Sequence, residues 1–480
     1  WFCVGFHSIM RVSVIFAGAA AQQVGSQKED VHLPMTLNVC TQSGCEAQKK
    51  GVTLDANWRW LHKVGSSSNC YTGNSWDPSS CPDPETCASN CGLDGVPTED
   101  WASPYGITSD GDQLKLGFVT QGQYSRNVGS RTYLMDTEET YQMFKLKNKE
   151  FTFDVDVSQL PCGLNGALYF VQMDADGGKS KYEGNKAGAK YGTGYCDAQC
   201  PHDVKFINGE ANSKDWTPSP TDPNSGVGHY GTCCAEMDIW EGNTISHAYT
   251  AHPCSVDGQT RCEGKECGDD TSGDRYNGKC DKDGCDFAPF RLGNSTFFGP
   301  GSSFILDTTK PMTVVTQFIT SDGTDSGELV EIRRKYVQGG KVIENPAAVS
   351  GGSGHVSISE DFCSAAKKDF GDVDAFSQQG GLKAMGDALE KGMVLVMSLW
   401  DDHAAHMLWL DSDYPTDQPS TKPGVARGTC ATTSGDPDEV EKDHGDSSVA
   451  YCNLRVGDLD STYDASRAPS CSAGQMSVVV

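Results

Sequence analysis

Apolar runs of six to nine residues recur along the chain, each bounded by clusters of Gly, Asp, Asn and Ser; those at 114–119, 151–157, 167–173, 312–320, 329–336 and 393–400 are the clearest. Their length and their β-branched and aromatic content predict strands. Residues 151–157, FTFDVDV, alternate apolar and polar with period two, which predicts a strand with one face in a core and the other toward water. Helical periodicity is confined to 360–370 and 382–391. Many short strands with long loops predict an all-β protein, an antiparallel sandwich. With no internal repeat and no Pro/Ser/Thr-rich linker, one domain over about 22–460 is expected, followed by a tail at 461–480.

Composition supports the β reading and removes some functions. The 54 Gly and 21 Pro among 480 residues suit a turn-rich chain. With 38 Lys and Arg against 65 Asp and Glu, the formal charge is −27. Such a surface repels phosphates, so neither nucleic acid nor a membrane is expected as a partner. No stretch of 18 apolar residues is present. The 21 cysteines point to an oxidising compartment, hence to a secreted, extracellular protein. Cys233 and Cys234 are adjacent and cannot easily bond each other; Cys196 and Cys200 are candidate partners. A metal site from these four thiols is the rival reading, but the spacing is C-x3-C with no C-x2-C, so neither metal nor cofactor is expected. Residues 1–21, with Arg11, a short apolar run and Ala19-Ala20-Ala21, read as upstream residues plus a signal peptide. Asn294-Ser295-Thr296 is a glycosylation sequon.

The most informative stretch is Glu236-Met-Asp-Ile-Trp-Glu241. On a strand, Glu236 and Asp238 share a face. Strict alternation would put the third acid at 240, but it stands one residue later. Either Glu241 points away, or a β-bulge after Asp238 returns it to the acidic face. A pair of carboxyls flanking a bond is the requirement of glycoside hydrolysis, whereas a solvated acidic edge is the bland alternative.

At this point the chain resembles the cellobiohydrolases of glycoside hydrolase family 7. The likeness spans about residues 30–460 and includes Asp55-Ala-Asn-Trp-Arg-Trp60, the stretch 160–170 (LPCGLNGALYF), the stretch 187–200 (AGAKYGTGYCDAQC), the acidic hexapeptide, and 393–402 (MVLVMSLWDD). The resemblance implies a β-jelly roll of two curved antiparallel sheets, with long loops forming a substrate tunnel. It implies that Glu236 is the nucleophile, Glu241 the acid/base, Asp238 a partner of Glu236, and His252 a neighbour of the acid/base. The reaction would be retaining hydrolysis of β-1,4-glucosidic bonds, releasing cellobiose processively from reducing ends of cellulose.

Further positions carry over in the same way. Trp58, Trp60, Trp400 and Trp409 match sugar platforms, and the two-residue spacing of Trp58 and Trp60 would put both on one strand face. Arg131, Asn165, Tyr169, Asp197, Gln199, Asp203 and Lys205 match substrate contacts before the scissile bond. Arg275, Asp283 and Arg427 match contacts to the leaving cellobiose. The implied disulfides are 40–45, 70–91, 81–87, 162–430, 196–234, 200–233, 254–280, 262–267 and 285–363, leaving Cys3, Cys452 and Cys471. The long segments 215–232 and 255–286 favour a tunnel enzyme over an endoglucanase of the same family. A lectin-like protein would have lost an acid, and all three are present. The partners implied are cellulose and cello-oligosaccharides, met by a monomer; no carbohydrate-binding module of the fungal type is expected in the tail. Ala404 and Thr271 stand where many members place tyrosines that meet across the tunnel roof, so a weak seam is expected there.

Overall fold

The computed structural model describes residues 22–123, 125–269, 274–471 and 473. The leader expected over 1–21, Cys3 and Thr271 lie outside the described residues. Among the described residues no helix is long and apolar enough to cross a membrane.

One continuous ladder carries the fold. Its main strands are β1 (Leu33–Thr41), β2 (Gly44–Leu54), β3 (Ser130–Met135), β4 (Lys149–Asp156), β5 (Leu164–Val171), β6 (Glu236–Gly242), β7 (His247–His252), β8 (Cys285–Phe287), β9 (Met312–Thr320), β10 (Leu329–Gln338), β11 (Lys341–Glu344), β12 (Met393–Asp401) and β13 (Ser448–Asp458). Their order is β8-β7-β6-β5-β12-β3-β2-β1-β13-β4-β9-β10-β11. The ladder doubles over on itself. Phe151 and Phe153 of β4 meet Phe170 of β5 and Trp240 of β6 edge-on, at centroid distances of 5.1 and 6.4 Å, although these strands are far apart along the ladder. Two layers thus face each other across an aromatic core, the sandwich that the alternating runs predict. Not every pairing is antiparallel: Leu37–Cys40 of β1 run parallel to Leu454–Gly457 of β13, because the early and late strands enter the sheet side by side in the same direction.

The opposite face of β3, β5 and β12 is also covered. Leu168 and Phe170 point into the main core, while Ala167, Tyr169 and Val171 join Tyr133, Tyr195, Cys196 and Val396 in a second cluster. Cys196–Cys234 and Cys200–Cys233 staple the covering loop to the start of β6. All nine implied disulfides are present, and a tenth joins Cys452 to Cys471.

Two local expectations need correction. Residues 151–157 do alternate, but the polar side does not face water. Asp154 pairs with Arg455 at 2.7 Å and accepts from Ser470 N at 3.1 Å, while buried Glu150 accepts from the backbone N–H groups of Asp460, Ser461 and Thr462. The segment after β13 folds back over this face and uses its carboxylates as backbone acceptors. Trp58 and Trp60, in turn, share no strand face. Residues 56–58 form a turn, started by Asp55 Oδ1 accepting from Asn57 N at 2.6 Å, a bond that Asp makes readily. The helices Glu360–Phe370 and Gly381–Lys391 match their predicted ranges to within a residue.

Candidate active site

The acidic strand β6 carries the bulge its sequence suggests. On one side Asp238 pairs with Thr250 and Glu241 with Ala248, so Ile239 and Trp240 together oppose Tyr249. On the other side Trp240 pairs with Leu168 and Asp238 with Tyr169, leaving Ile239 as the extra residue. Ile239 and Trp240 both lie in the main core, two inward side chains in succession. That doubled inward step turns Glu241 back to the face of Glu236 and Asp238.

Each acid has its own partners. Glu236 Oε2 accepts from the backbone N–H of Ala198 at 3.0 Å, and its carboxyl hydrogen-bonds Asp238. Asp238 Oδ2 lies 3.0 Å from His252 Nε2, and His252 Nδ1 donates to the carbonyl of Asp281 at 2.8 Å. Glu241 Oε1 accepts from Asn165 Nδ2 at 3.0 Å; Asn165 Oδ1 takes the N–H of Gly242, which fixes which way the amide faces. Glu236, Asp238 and His252 hold their donor atoms within 4.8 Å of one another, a spacing a cation can also use. Here His252 Nε2 is engaged by Asp238.

Electrostatics separate the acids by partner rather than by type. Burial raises the carboxyl of Glu236 well above the usual range, with the charges of Asp238 and Asp197 adding to it. Burial and Glu241 do the same to Asp238. Glu241 is pushed up to about 7 by burial, opposed by His252 and the Asn165 amide. So many crowded carboxyls cannot all ionise near neutrality. Glu236 accepts the Ala198 N–H, which only partly offsets its rise, and burial leaves Glu241 at about 7.

The remaining expected residues fall into two groups around this centre. On one side, Asp197 accepts from Tyr195 Oη at 2.6 Å and from Gln199 N at 2.8 Å. Tyr195 bonds Tyr169 at 2.9 Å. The guanidinium of Arg131 lies 3.3 Å from the Tyr195 ring centroid and 5.4 Å from that of Trp58, and is held by Asp55 at 2.8 Å. Asn57 links this turn to Asp203 and Lys205, whose Nζ donates to the Asn57 carbonyl at 2.7 Å; burial lowers that amine to about 8. On the other side, Asp283 takes two hydrogen bonds from Arg275 at 2.9 and 2.7 Å, and Arg427 donates to the carbonyls of Tyr414 and Trp409. Burial and Arg291 lower Arg427 to about 10. Trp400 and Trp409 stack at 6.2 Å and are half-buried. Gln199 Nε2 reaches across to the carbonyl of Lys282 at 2.7 Å, tying the two groups together beside Glu236. Trp60 stands apart, against His62 at 4.3 Å.

Sequence reasoning missed Asp55, Tyr195 and Asp286. The first two lie inside the quoted stretches, so the signal was present but unused. Asp286 sits on β8 opposite Thr250 and raises Glu241 from there. The long segment 215–232 is docked rather than loose: Trp216 Nε1 donates to the Asn74 carbonyl at 2.9 Å and Asn74 Nδ2 returns to Ser219 at 3.1 Å.

Comparison with known proteins identifies the family of the chain. The family model described as glycosyl hydrolase family 7 matches residues 24–463. A crystal structure of a family 7 cellobiohydrolase from Daphnia pulex is 57% identical, with a TM-score of 0.91, covering 92% of this chain and 100% of its own. A cellobiohydrolase from Melanocarpus albomyces complexed with cellotetraose is 44% identical, TM-score 0.86, over 92% and 100% of the two chains. An endocellulase from Humicola insolens is 36% identical, TM-score 0.76, over the same shares.

Proposed function

Because the chain belongs to glycosyl hydrolase family 7, we propose that it is a secreted, monomeric cellobiohydrolase that cuts β-1,4-glucosidic bonds of cellulose with retention and releases cellobiose from reducing ends. The observation that carries this reading is the bulged strand, which puts Glu236 and Glu241 on one face with unlike partners. Glu241 starts protonated and gives its proton to the glycosidic oxygen as that bond breaks. Glu236, ionised, attacks the anomeric carbon and forms a glycosyl-enzyme. Glu241, now a carboxylate, takes a proton from water, which displaces Glu236 with a second inversion and so net retention. Asp238 and His252 set the charge on Glu236: Asp238 shares a hydrogen bond with it and His252 supplies positive charge behind it.

The aromatic and polar residues before the bond, Trp58, Arg131, Tyr169, Asp197, Gln199, Asp203 and Lys205, would hold the glucan, and Arg275, Asp283 and Arg427 the leaving cellobiose. Trp60, Trp400 and Trp409 are half-buried, as a platform for the apolar face of a sugar must be. Exo action is favoured over endo action by the higher similarity to the two cellobiohydrolases than to the endocellulase, and by the docking of 215–232 onto the turn at 73–74. The test is product analysis. Cellobiose from crystalline cellulose with little loss of carboxymethyl-cellulose viscosity is expected; a rapid viscosity fall with mixed oligosaccharides would mark an endoglucanase.

A further inference from the structure

Arg334 occupies a position where a cation is costly. On β10 the side chains of Ile332, Arg334 and Tyr336 all face inward and are at most 1% exposed, so the arginine sits in the middle of an apolar row. Its Nε and Nη1 have no hydrogen-bond partner. Its Nη2 donates to the backbone carbonyl of Ile239. The guanidinium lies 4.3 Å from the ring centroid of Tyr249 and 5.7 Å from that of Tyr336. A buried charge held by the Ile239 carbonyl, the Tyr336 hydroxyl and two rings is poor design for stability alone, since an apolar side chain would fill the row without the desolvation penalty.

Both contacts fall on the bulge. Ile239 is the residue at which the ladder slips on either side of β6, and Tyr249 is the single residue of β7 that Ile239 and Trp240 together oppose. Arg334 therefore reaches from the opposite layer of the sandwich, grips the extra residue by its carbonyl and rests on the ring facing it. Without the bulge, strict alternation would send Glu241 toward the core and bring Trp240 to the acidic face. The charges acting on Glu241 are those of His252 and Asp286, so Arg334 works on its position rather than its proton affinity.

We propose that Arg334 is a positioning residue for the acid/base: by holding the carbonyl of Ile239 it fixes the bulge that turns Glu241 onto the face of Glu236 and Asp238. This rests on the assignment of Glu241 above. A misplaced acid/base penalises leaving groups that need a proton and spares those that do not, a split that general loss of stability would not produce.

The experiment measures kcat/KM on cellotetraose and on 2,4-dinitrophenyl β-cellobioside for the wild type, Glu241→Gln, Arg334→Met and Arg334→Lys. Arg334→Met should lose about 100-fold on cellotetraose and no more than about 3-fold on the dinitrophenyl substrate, and azide, a nucleophile needing no base, should raise its kcat on the latter. Arg334→Lys, which keeps one donor, should fall between it and the wild type. Equal losses on both substrates without an azide response would overturn the proposal. If Glu241→Gln itself lacks the leaving-group split, the assignment of Glu241 fails instead. If near-ultraviolet circular dichroism shows the methionine variant unfolded, the lysine variant decides: a graded split supports the proposal, and a wild-type ratio of the two kcat/KM values overturns it.

Discussion

His252 Nε2 lies 3.0 Å from Asp238 Oδ2, while the opposite ring nitrogen is committed to the carbonyl of Asp281. The ring is therefore fixed in place behind the acids, and its positive charge lowers both Glu236 and Glu241. Replacing it should move both. In His252→Ala the carboxyl of Glu236 rises, so the acid limb of the kcat/KM profile moves to higher pH. The carboxyl of Glu241 rises as well, so the basic limb moves the same way. The whole bell should shift to higher pH, measured on cellotetraose. A loss of rate with both limbs unmoved would mean that His252 acts by packing and not by charge.

Glu236→Gln keeps shape and hydrogen bonding, including the bond from Ala198, but removes the nucleophile. kcat should fall by at least about 10³-fold while cello-oligosaccharide binding, measured by calorimetry, stays near the wild-type value. Retention of a tenth of the wild-type rate would remove Glu236 from that role.

Much of this architecture is readable from residue pattern because alternation and bulges leave period marks. The acids at 236, 238 and 241, with Ile239-Trp240 between the last two, announce a doubled inward step, and the ladder contains it. Pattern fails where a second element covers a face. Thr152, Asp154 and Asp156 look like a wet face, yet residues far along the chain bury them. Trp58 and Trp60 share the period of a strand, but an Asx bond at Asp55 turns the chain first. Arg334 reads as one of three ordinary charges in Arg333-Arg334-Lys335. Only its phase with Ile332 and Tyr336 hints at burial, and nothing local names Ile239 as its partner. The two groups of residues flanking the acids depend on loop-to-loop bonds such as Gln199 to Lys282, which no spacing encodes.

The Cys452–Cys471 bridge closes the segment that covers the polar side of β4. Its sequence separation of 19 places the loss on breaking it at about 3 kcal/mol. Cys452→Ser with Cys471→Ser should lower the melting temperature by several degrees while leaving kcat/KM on cellotetraose within about twofold, because the covered face lies away from β6. An equal fall in activity at a temperature well below melting would instead couple the tail to the site.

The last prediction concerns Asp401, at the end of β12 beside Trp400. Its carboxyl is 6% exposed, its Oδ2 has no hydrogen-bond partner, and burial pushes it up to about 7. The charged groups facing it are His403, with Nε2 3.9 Å away, and Glu441, whose Oε1 is 3.7 Å from the same nitrogen and whose other oxygen is bonded by Arg126. His403 opposes the rise and Glu441 adds to it. In the unfolded chain an aspartate titrates near 4, so between about pH 4 and pH 7 the folded state holds a proton that the unfolded state has released. Stability contributed by the neutral carboxyl is complete below about pH 4 and is lost as pH rises through 7. Asp401→Asn keeps the neutral shape without the titration. Its melting temperature should match the wild type at pH 4 and exceed it progressively up to pH 8, where the difference in stability reaches at most about 4 kcal/mol. A gap that is constant across pH 4 to 8 would show that Asp401 is already ionised in the folded protein at pH 4.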